Sequence, residues 1–408
     1  MSHRIMGEQE IMTSYLLSAN DSQCYGCRAC EQICPKSAIT VKPNNEGFLY
    51  PVLDGTRCVK CGLCKTVCPF DNELPKNPEK VRVLAAQYKN RNSLKTCSSG
   101  GIFSAIADFV LENGGEVAGC IYDENFKAIH TLTDEPIIAE KMKGSKYVQS
   151  DTNHIYSEIQ EKLKSGKLVL FSGTPCQVDG LRKFLQKSYD NLITVDLICH
   201  GVPSPLFFEE YLKYIERKKG KVTGIKFRDK ERNGWCSQGS ISYLQAGRRK
   251  TSTISPFNDS YYYYYYLQNN LSRMSCYSCK YSCTDRIGDI TIGDYWNIQN
   301  IRPDIIPDGG ISVVLINTDR GNKLLDDLRD RLDLYETALA PAVKANGNLE
   351  KPCCMPESRK TIYARLERQG YEAIAKQDCK YQYIKPFLRK HAPKGLKKLA
   401  RKILHRNG

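Results

Sequence analysis

No run of eighteen apolar residues occurs in the 408-residue sequence, so no transmembrane helix is expected. The opening stretch, MSHRIMGEQEIMTSYLLSANDSQ, lacks a sustained apolar core and a small-residue cleavage site, and does not read as a secretory leader. A cytoplasmic protein is the expectation. Two nucleotide signatures are also missing. There is no G-x-G-x-x-G after a strand and no G-x4-G-K-[ST], so neither the standard dinucleotide fold nor a P-loop is supported. Acid is scarce relative to base: 45 Asp and Glu against 60 Lys and Arg leave a formal net charge of +15. Otherwise the composition is ordinary for a globular chain, 41% hydrophobic and 26% charged, with length enough for two or three domains.

What the sequence has in excess is cysteine. Nineteen are present. A reducing cytosol and a long chain argue against a disulfide framework, which leaves metal or redox chemistry to account for them. Eight of them, Cys24, Cys27, Cys30, Cys34, Cys58, Cys61, Cys64 and Cys68, fall within 45 residues. CYGCRACEQICP and CVKCGLCKTVCP both read C-x2-C-x2-C-x3-C-P, the run of two-cluster bacterial ferredoxins, in which the fourth cysteine of each run ligates the other cluster. The pattern assigns Cys24, Cys27, Cys30 and Cys68 to one [4Fe–4S] cluster and Cys58, Cys61, Cys64 and Cys34 to a second. Zinc is the competing reading. Zinc sites usually pair two C-x2-C knuckles across a longer spacer, whereas here three evenly stepped cysteines occur twice. An α+β ferredoxin-like domain is therefore expected over residues 16–75.

NELPKNPEK then forms a polar linker, after which apolar runs alternate with amphipathic stretches, as in α/β domains. LVLFSG (168–173) reads as a buried strand. In TPCQVDGLRKFLQK, Thr174 suits a helix N-cap and Pro175 the first helical position. NLITVDLIC (191–199) reads as a second strand, HGVPSP as its loop and LFFEEYLKYIERKKG as its helix, closed by Gly220. Two strand–loop–helix units in succession predict a mainly parallel sheet. Cys176 then lies just past the C-terminal end of one strand and Cys199 closes the next, on the rim where open α/β sheets bind ligands. CYSCKYSC (276–283) precedes a further strand, GDITIGDYW, and its three cysteines are one short of a four-ligand site. A third [4Fe–4S] cluster is expected there, with Cys276 and Cys279 as two ligands and Cys176 and Cys199 as the others. Cys283 competes for either of the last two places. Cys176 has an alternative role as a reactive thiolate, because it lies in the first turn of a helix.

In KTCSSGGIFSAIADFVLENGGEVAGCIYD (95–123), serines and paired glycines open an apolar-periodic helix that ends at Gly114 and Gly115, and a strand follows. Free backbone N–H groups at such a start make an anion site; the alternative is a tightly packed helix entry with no ligand.

Behind the two ferredoxin runs stand, in order, SSGGIFSAIA, MKGSKYVQSD, LFSGTPCQVDGLRKFL, DLICHGVPSP, GIKFRDKERNGW, CYSCKYSC and RIGDITIGDYW. In that order they resemble the family of coenzyme F420 hydrogenase/dehydrogenase beta subunits, over roughly residues 18–335. The resemblance implies an iron–sulfur flavoprotein oxidoreductase. Its larger α/β flavin-binding domain would have an N-terminal part at 80–160 and a C-terminal part at 161–335, the latter carrying the third cluster. It also implies a bound FAD that exchanges hydride with a deazaflavin or other organic substrate while the clusters pass single electrons, a flavin being the usual converter between the two. On that reading Ser98, Ser99, Gly100 and Gly101 become candidates for the flavin pyrophosphate. Lys143, Gly144, Ser145, Lys146 and Tyr147 become candidates for cationic and backbone contacts. Asp289 and Asp294, flanking ITIG, would cap backbone groups or contact flavin or substrate, capping being the commoner role. His200, beside Cys199, is the candidate proton donor, and Trp296 reads as packing. The partners implied are an electron donor or acceptor protein, such as a reduced ferredoxin, and a small organic or deazaflavin substrate. The alternative from another class is a non-catalytic electron-transfer subunit, feeding a partner enzyme.

Cys97, Cys120, Cys236, Cys353, Cys354 and Cys379 fit no ligand spacing and read as small buried hydrophobes. Among them the Pro-flanked pair Cys353–Cys354 is the least readily explained as inert. The tyrosine run 261–266 carries no functional reading. KPFLRKHAPKGLKKLARKILHRNG (385–408) holds nine Lys or Arg and no acid, and beyond Pro393 its Leu396, Leu399, Ile403 and Leu404 fall near one helical face. It reads as a basic amphipathic tail for peripheral contact with the inner, anionic membrane face, or as a solvated tail. Nucleic acid is not expected as a partner, since no nucleic-acid fold or aromatic platform accompanies the charge.

Overall fold

The computed structural model describes residues 15–71, 73, 74, 76 and 81–379; the basic tail at 385–408 lies outside the described residues. Among the described residues no helix is long and apolar enough to cross a membrane.

The two ferredoxin runs fold as an internal repeat, Cys24 corresponding to Cys58 and so on to Cys34 and Cys68. Gly26 and Lys60 share positive φ angles of 73° and 56°, and Arg28 and Gly62 share 62° and 79°. These left-handed positions turn each run back on itself. A short helix follows in each copy, Ala29–Gln32 and Leu63–Thr66. In both copies the same amide reaches the first sulfur: Gly26 N donates to Cys24 Sγ at 3.4 Å and Lys60 N to Cys58 Sγ at 3.4 Å. A hairpin of β1 (Ile39–Pro43) and β2 (Leu49–Leu53) stands between the copies.

The rest of the chain forms β3 (Arg82–Tyr88), β4 (Glu116–Tyr122), β5 (Ala128–Thr133), β6 (Val169–Gly173), β7 (Leu192–Leu197), β8 (Lys221–Lys226), β9 (Gly239–Gln245), β10 (Arg248–Ile254), β11 (Ile290–Asp294), β12 (Ser312–Ile316) and β13 (Leu332–Thr337). Eight of these make one sheet in the order β13-β3-β12-β11-β7-β6-β4-β5, and β8, β9 and β10 make an antiparallel sheet of their own. The expected mainly parallel sheet is corrected to a mixed one. Only β4, β6, β7 and β11 run parallel; β5, β12, β3 and β13 pair antiparallel on the two flanks. The reason is the connections. A helix between two strands carries the chain back to the starting edge and makes them parallel. No α-helix lies between β4 and β5 or between β11 and β12, so each of these pairs folds back on itself.

The period of two along the strands serves two faces. Leu84, Ala86, Leu170, Val314 and Ile316 pack on one side with the helices Ile102–Glu112 and Asp319–Asp327. Val169 and Phe171 face the other side, against Ile155–Lys164 and Pro175–Leu185, and Val83, Ala85, Val313 and Leu315 pack on Leu339–Ala345. The predicted helix start at Thr174 is a capping box, in which Gln177 reaches back to the Thr174 amide at 3.0 Å and Pro175 holds the first helical position.

The helix Ile102–Glu112 is drawn onto the sheet by its first glycine. A Cβ on Gly100 would come within 2.2 Å of the Ala86 carbonyl oxygen and 2.6 Å of the Ser312 amide nitrogen, backbone atoms of β3 and β12. Gly100→Ala is therefore expected to lower stability by about 1–3 kcal/mol, the cost of overpacking a well-filled core, read from a denaturant midpoint that moves at constant slope. An unchanged midpoint would show that the sheet gives way at this point.

Candidate functional site

The ferredoxin module is seated against the helix Pro175–Leu185, and the contact is close enough to need a glycine. A Cβ on Gly180 would lie 2.9 Å from Cys27 Cβ and 3.0 Å from Cys27 Sγ. Thr152 Oγ1 donates to the Cys27 carbonyl at 2.9 Å, Arg28 pairs with Asp151, and Arg359 Nη1 donates to Glu46 Oε1 at 2.7 Å. Within the module the thiols sort into two groups. Cys27 lies within the electrostatic reach of Cys30, Cys68 and Cys24, and Cys64 within that of Cys61 and Cys34. Cys68 of the second run thus lies close to Cys27 and Cys30 of the first, and Cys34 of the first close to Cys64 of the second, while Cys30 and Cys64 also face each other. A cavity of about 30 Å³ is lined by Cys24, Cys27, Cys30 and Cys68 together with Cys64. Burial pushes the Cys68 thiol up to about 11 and raises the Cys27 and Cys30 thiols well above the usual thiol range. Thiols so placed ionise only when a cation takes the proton's place, which is the situation of cluster ligands.

A second group of thiols lies on the sheet rim, and Cys353 borders it, within the reach of Cys199 and Cys279. Cys176 follows β6, Cys199 follows β7, and Cys276 and Cys279 come from the segment ahead of β11. Burial raises all four thiols, and the neighbouring Cys279 thiolate is the next largest cause at Cys176 and Cys199; it acts on Cys276 as well. For Cys199 the result is about 12. Cys283 is turned aside: its thiol donates to the carbonyls of Lys280 at 3.2 Å and Asp285 at 3.3 Å. Register explains why a segment entering the sheet reaches its far rim. Ile290 of β11 stands opposite Val195, near the C-terminal end of β7, so β11 begins where β7 is about to finish. A buried ion pair fastens the segment there. Arg286 donates to Asp196 Oδ1 at 2.7 Å and to the carbonyls of Tyr281 at 2.6 Å and Leu197 at 2.9 Å, and Asp196 Oδ2 accepts from the Gly288 amide at 2.7 Å. Among the described residues no three His, Cys, Asp or Glu side chains converge on a point as ligands of one metal ion do. The ligands of a cubane sit on four separate corner irons and are spread wider.

Tyr25, between Cys24 and Cys27, joins the two groups. Its environment contains Cys279, Cys176 and Cys276, and its ring meets Tyr281 edge-on at 5.3 Å.

Beside the rim group opens a cavity of about 780 Å³, within the range of small-molecule and cofactor sites. Ser98, Ser99 and Gly101 line it, as do Lys143 to Tyr147, Cys199, His200 and Asp294. Gly100 is turned to the sheet, and Asp289 does not reach the cavity. The Asp289 carboxylate accepts from the Thr194 amide at 2.8 Å, Thr194 Oγ1 at 2.6 Å and Thr318 Oγ1 at 2.9 Å, a capping role between strands. Lys146 is also engaged. Its ammonium donates to the carbonyls of Lys141, Met142, Lys143 and Gly144, closing the helix Pro136–Met142, and burial brings its pKa down to about 8. Lys143 is held by Glu140 and by Ser93 Oγ at 3.1 Å.

Arg228, Trp235 and His130 carried no assignment in the sequence. Asp294 is neutralised by Arg228, whose Nη2 donates to Oδ1 at 3.0 Å, and Trp235 Nε1 donates to the same oxygen at 3.1 Å. Trp235 stacks on Trp296 at 5.1 Å and 2°, and Arg228 lies 4.9 Å from the Trp296 ring. The chain has two tryptophans in all, and both stand here; their rarity was the available signal. Tyr147 packs on Tyr262 and Tyr266 from the tyrosine run, which forms a single buried π-helical turn, Tyr261–Tyr266. His130 is buried in the cavity wall. Its Nε2 faces the Ser172 carbonyl at 3.2 Å, while its Nδ1 has no partner among the described residues. Burial holds its pKa down at about 4, so the ring is neutral near pH 7 and Nδ1 presents a lone pair. Cys353 and Cys354 also border the cavity.

A dicluster module seated against the ligand rim of an α/β sheet is the arrangement of an iron–sulfur oxidoreductase. Residues 166–341 match the family described as coenzyme F420 hydrogenase/dehydrogenase, C terminus of the beta subunit, and residues 23–72 match the 4Fe-4S dicluster domain. The chain is an iron–sulfur oxidoreductase that is similar, over residues 166–341, to the coenzyme F420 hydrogenase/dehydrogenase beta subunits. It is 24% identical over 339 residues to a Methanosarcina mazei protein named as an F420H2 dehydrogenase subunit, covering 77% of this chain and 84% of the relative. It is 28% identical over 199 residues to the coenzyme F420-dependent sulfite reductase of Methanocaldococcus jannaschii, covering 41% of this chain and 31% of that protein, less than a third of its length. A chain of the F420-reducing [NiFe] hydrogenase complex from Methanosarcina barkeri superposes with a TM-score of 0.44 at 18% identity, covering 72% of this chain and 94% of that one.

Proposed function

We propose that this oxidoreductase couples one-electron transfer through three [4Fe–4S] clusters to two-electron chemistry at FAD, on a deazaflavin or other organic substrate. The observation that carries the reading is the meeting of Cys176, Cys199, Cys276 and Cys279 between the ferredoxin module and the large cavity. Cys24, Cys27, Cys30 and Cys68 would hold the inner cluster, Cys34, Cys58, Cys61 and Cys64 the outer one, and the rim four the third. Ser98, Ser99 and Gly101 would receive the flavin's phosphates. The orphaned Nδ1 of His130 supports a ligand that donates a hydrogen bond, since such a nitrogen is costly to bury unpaired. FAD, when bound, supplies the conversion between single electrons and hydride.

The protein's own groups then have distinct tasks. The Gly180 contact and Tyr25 hold the inner cluster against the third. Arg286 and Asp196 hold the loop of Cys276 and Cys279 on the rim. Trp296, backed by Trp235, and Arg228 wall the cavity with flat, cationic surface suited to an aromatic, anionic ligand. His200, exposed at the cavity wall, is placed to exchange a proton with a bound substrate.

Protein purified without oxygen is expected to be brown, to contain about twelve irons, four for each cubane, and to retain one non-covalent FAD. Iron analysis and the flavin released on denaturation check this. Protein without flavin that fails to bind added FAD would rule out the hydride half of the proposal. The relative from Methanosarcina mazei is named as a subunit, which favours the second reading, that of an electron-transfer subunit. Turnover of a deazaflavin or other organic substrate by the isolated protein separates the two.

A further inference from the structure

Arg273 is the largest fully buried side chain in the described structure, with 0% exposure, and no carboxylate lies within ion-pair reach of it among the described residues. An uncompensated buried cation is among the most costly arrangements in a protein interior. The groups it does meet are neutral. Its Nε donates to the Cys24 carbonyl at 2.7 Å, Nη2 to the Leu49 carbonyl at 3.0 Å and Nη1 to Gln149 Oε1 at 3.2 Å. The guanidinium stacks 3.9 Å from the Tyr50 ring centre.

The anions it faces are thiolates. Cys24 of the inner ferredoxin group and Cys276 of the rim group act on it, and Cys176 of the rim group lies within its field as well. Its own backbone is part of the rim loop: the Cys276 amide donates to the Arg273 carbonyl at 2.9 Å, and the Arg273 amide to the Val202 carbonyl at 3.0 Å. One fixed cation therefore stands between two cluster sites and bonds to both loops. A [4Fe–4S] core bound by four thiolates is net negative, more so when reduced. We propose that Arg273 is the shared counter-ion of the inner and third clusters. It favours their reduced forms by offsetting the added negative charge, and so keeps two neighbouring centres reducible in a buried setting. Net charge and hydrogen bonding around the cluster are among the levers that set its potential.

The inference rests on the proposed third cluster, and EPR-monitored redox titration keeps the two claims apart. Three variants are compared with the wild-type protein: Arg273→Met, which removes the charge; Arg273→Lys, which keeps it without the planar fork; and Gln149→Glu, a near-isosteric change that sets a carboxylate against Arg273. The expected result is lower midpoint potentials for the inner and third clusters in Arg273→Met and Gln149→Glu, with Arg273→Lys close to wild type. The outer cluster, whose cysteines do not act on Arg273, stays where it was. Unchanged inner-cluster potential in Gln149→Glu or Arg273→Met at full iron content overturns the proposal. So does an equal fall in all three clusters, or a fall in Arg273→Lys as large as in Arg273→Met. If Arg273→Met does not load iron, Gln149→Glu carries the comparison. If wild-type protein shows only two clusters, the third-cluster reading fails by itself, and the inner cluster still reports on Arg273.

Discussion

Serine at position 176 or 199 is expected to remove about four irons from the protein, one cubane's worth, and to leave the ferredoxin module's irons in place. The same loss is expected for Cys276→Ser and Cys279→Ser. Cys283→Ser should retain full iron, because that thiol is spent on the Lys280 and Asp285 carbonyls. The size of the effect follows from the chemistry of the site. A serine hydroxyl is a poor ligand for iron, and three remaining thiols leave one corner of a cubane open to solvent. The four residues are half-buried; desolvation raises all four thiols, and neighbouring thiols raise those of Cys176, Cys199 and Cys276 further, so without a cluster they stay protonated and offer nothing to a lone ion. Iron counting with EPR reads the outcome. If Cys176→Ser and Cys199→Ser both keep all their iron, the rim site is not a cluster.

The second large effect lies in the clasp behind that site. Asp196 and Arg286 are almost wholly buried, with side-chain exposures of 0% and 1%. Removing one partner strands the other's charge in the interior, and breaking such a pair costs about 3–5 kcal/mol. Asp196→Ala is therefore expected to lower stability by that amount in urea unfolding, and to lose the third cluster's EPR signal with it. The loss of signal follows because Arg286 alone bonds the Tyr281 and Leu197 carbonyls that hold the loop on the rim. The double variant Asp196→Ala/Arg286→Met leaves no stranded charge and should be more stable than Asp196→Ala by itself, a coupling that a double-mutant cycle measures. A single variant that costs less than about 1 kcal/mol, as an exposed pair would, contradicts the clasp.

How much could be read beforehand depended on the range of the interaction. The ferredoxin runs were legible because their ligands are a few residues apart and the loop that carries them is local. The helix start at Thr174 and Pro175 was legible for the same reason, though the part played by Gln177 was not read. The glycine-rich helix start was visible, but its reading was divided: Gly100 is needed by the sheet, whereas Ser98, Ser99 and Gly101 border the cavity. Asp289 was grouped with Asp294 because both flank one strand, yet successive strand residues point to opposite faces and an odd offset separates the pair's environments. One ties strands together and the other pairs with Arg228 at the cavity.

By itself the sequence determined the two cluster runs, the alternation of strand and helix through β6 and β7, and the resemblance to a family of iron–sulfur oxidoreductases. These are properties of spacing, period and order, which a linear chain displays. The tertiary structure alone decided the rest. It made the sheet mixed, because strands joined without a helix fold back antiparallel. It brought Cys176 and Cys199 near Cys276 and Cys279, because the register of β11 against β7 sets which thiols share a rim. It put Arg273 between two thiol groups and stacked the two tryptophans on each other beside the cavity. Residues far apart along the chain meet only when strand order and register are known, and no local pattern encodes either.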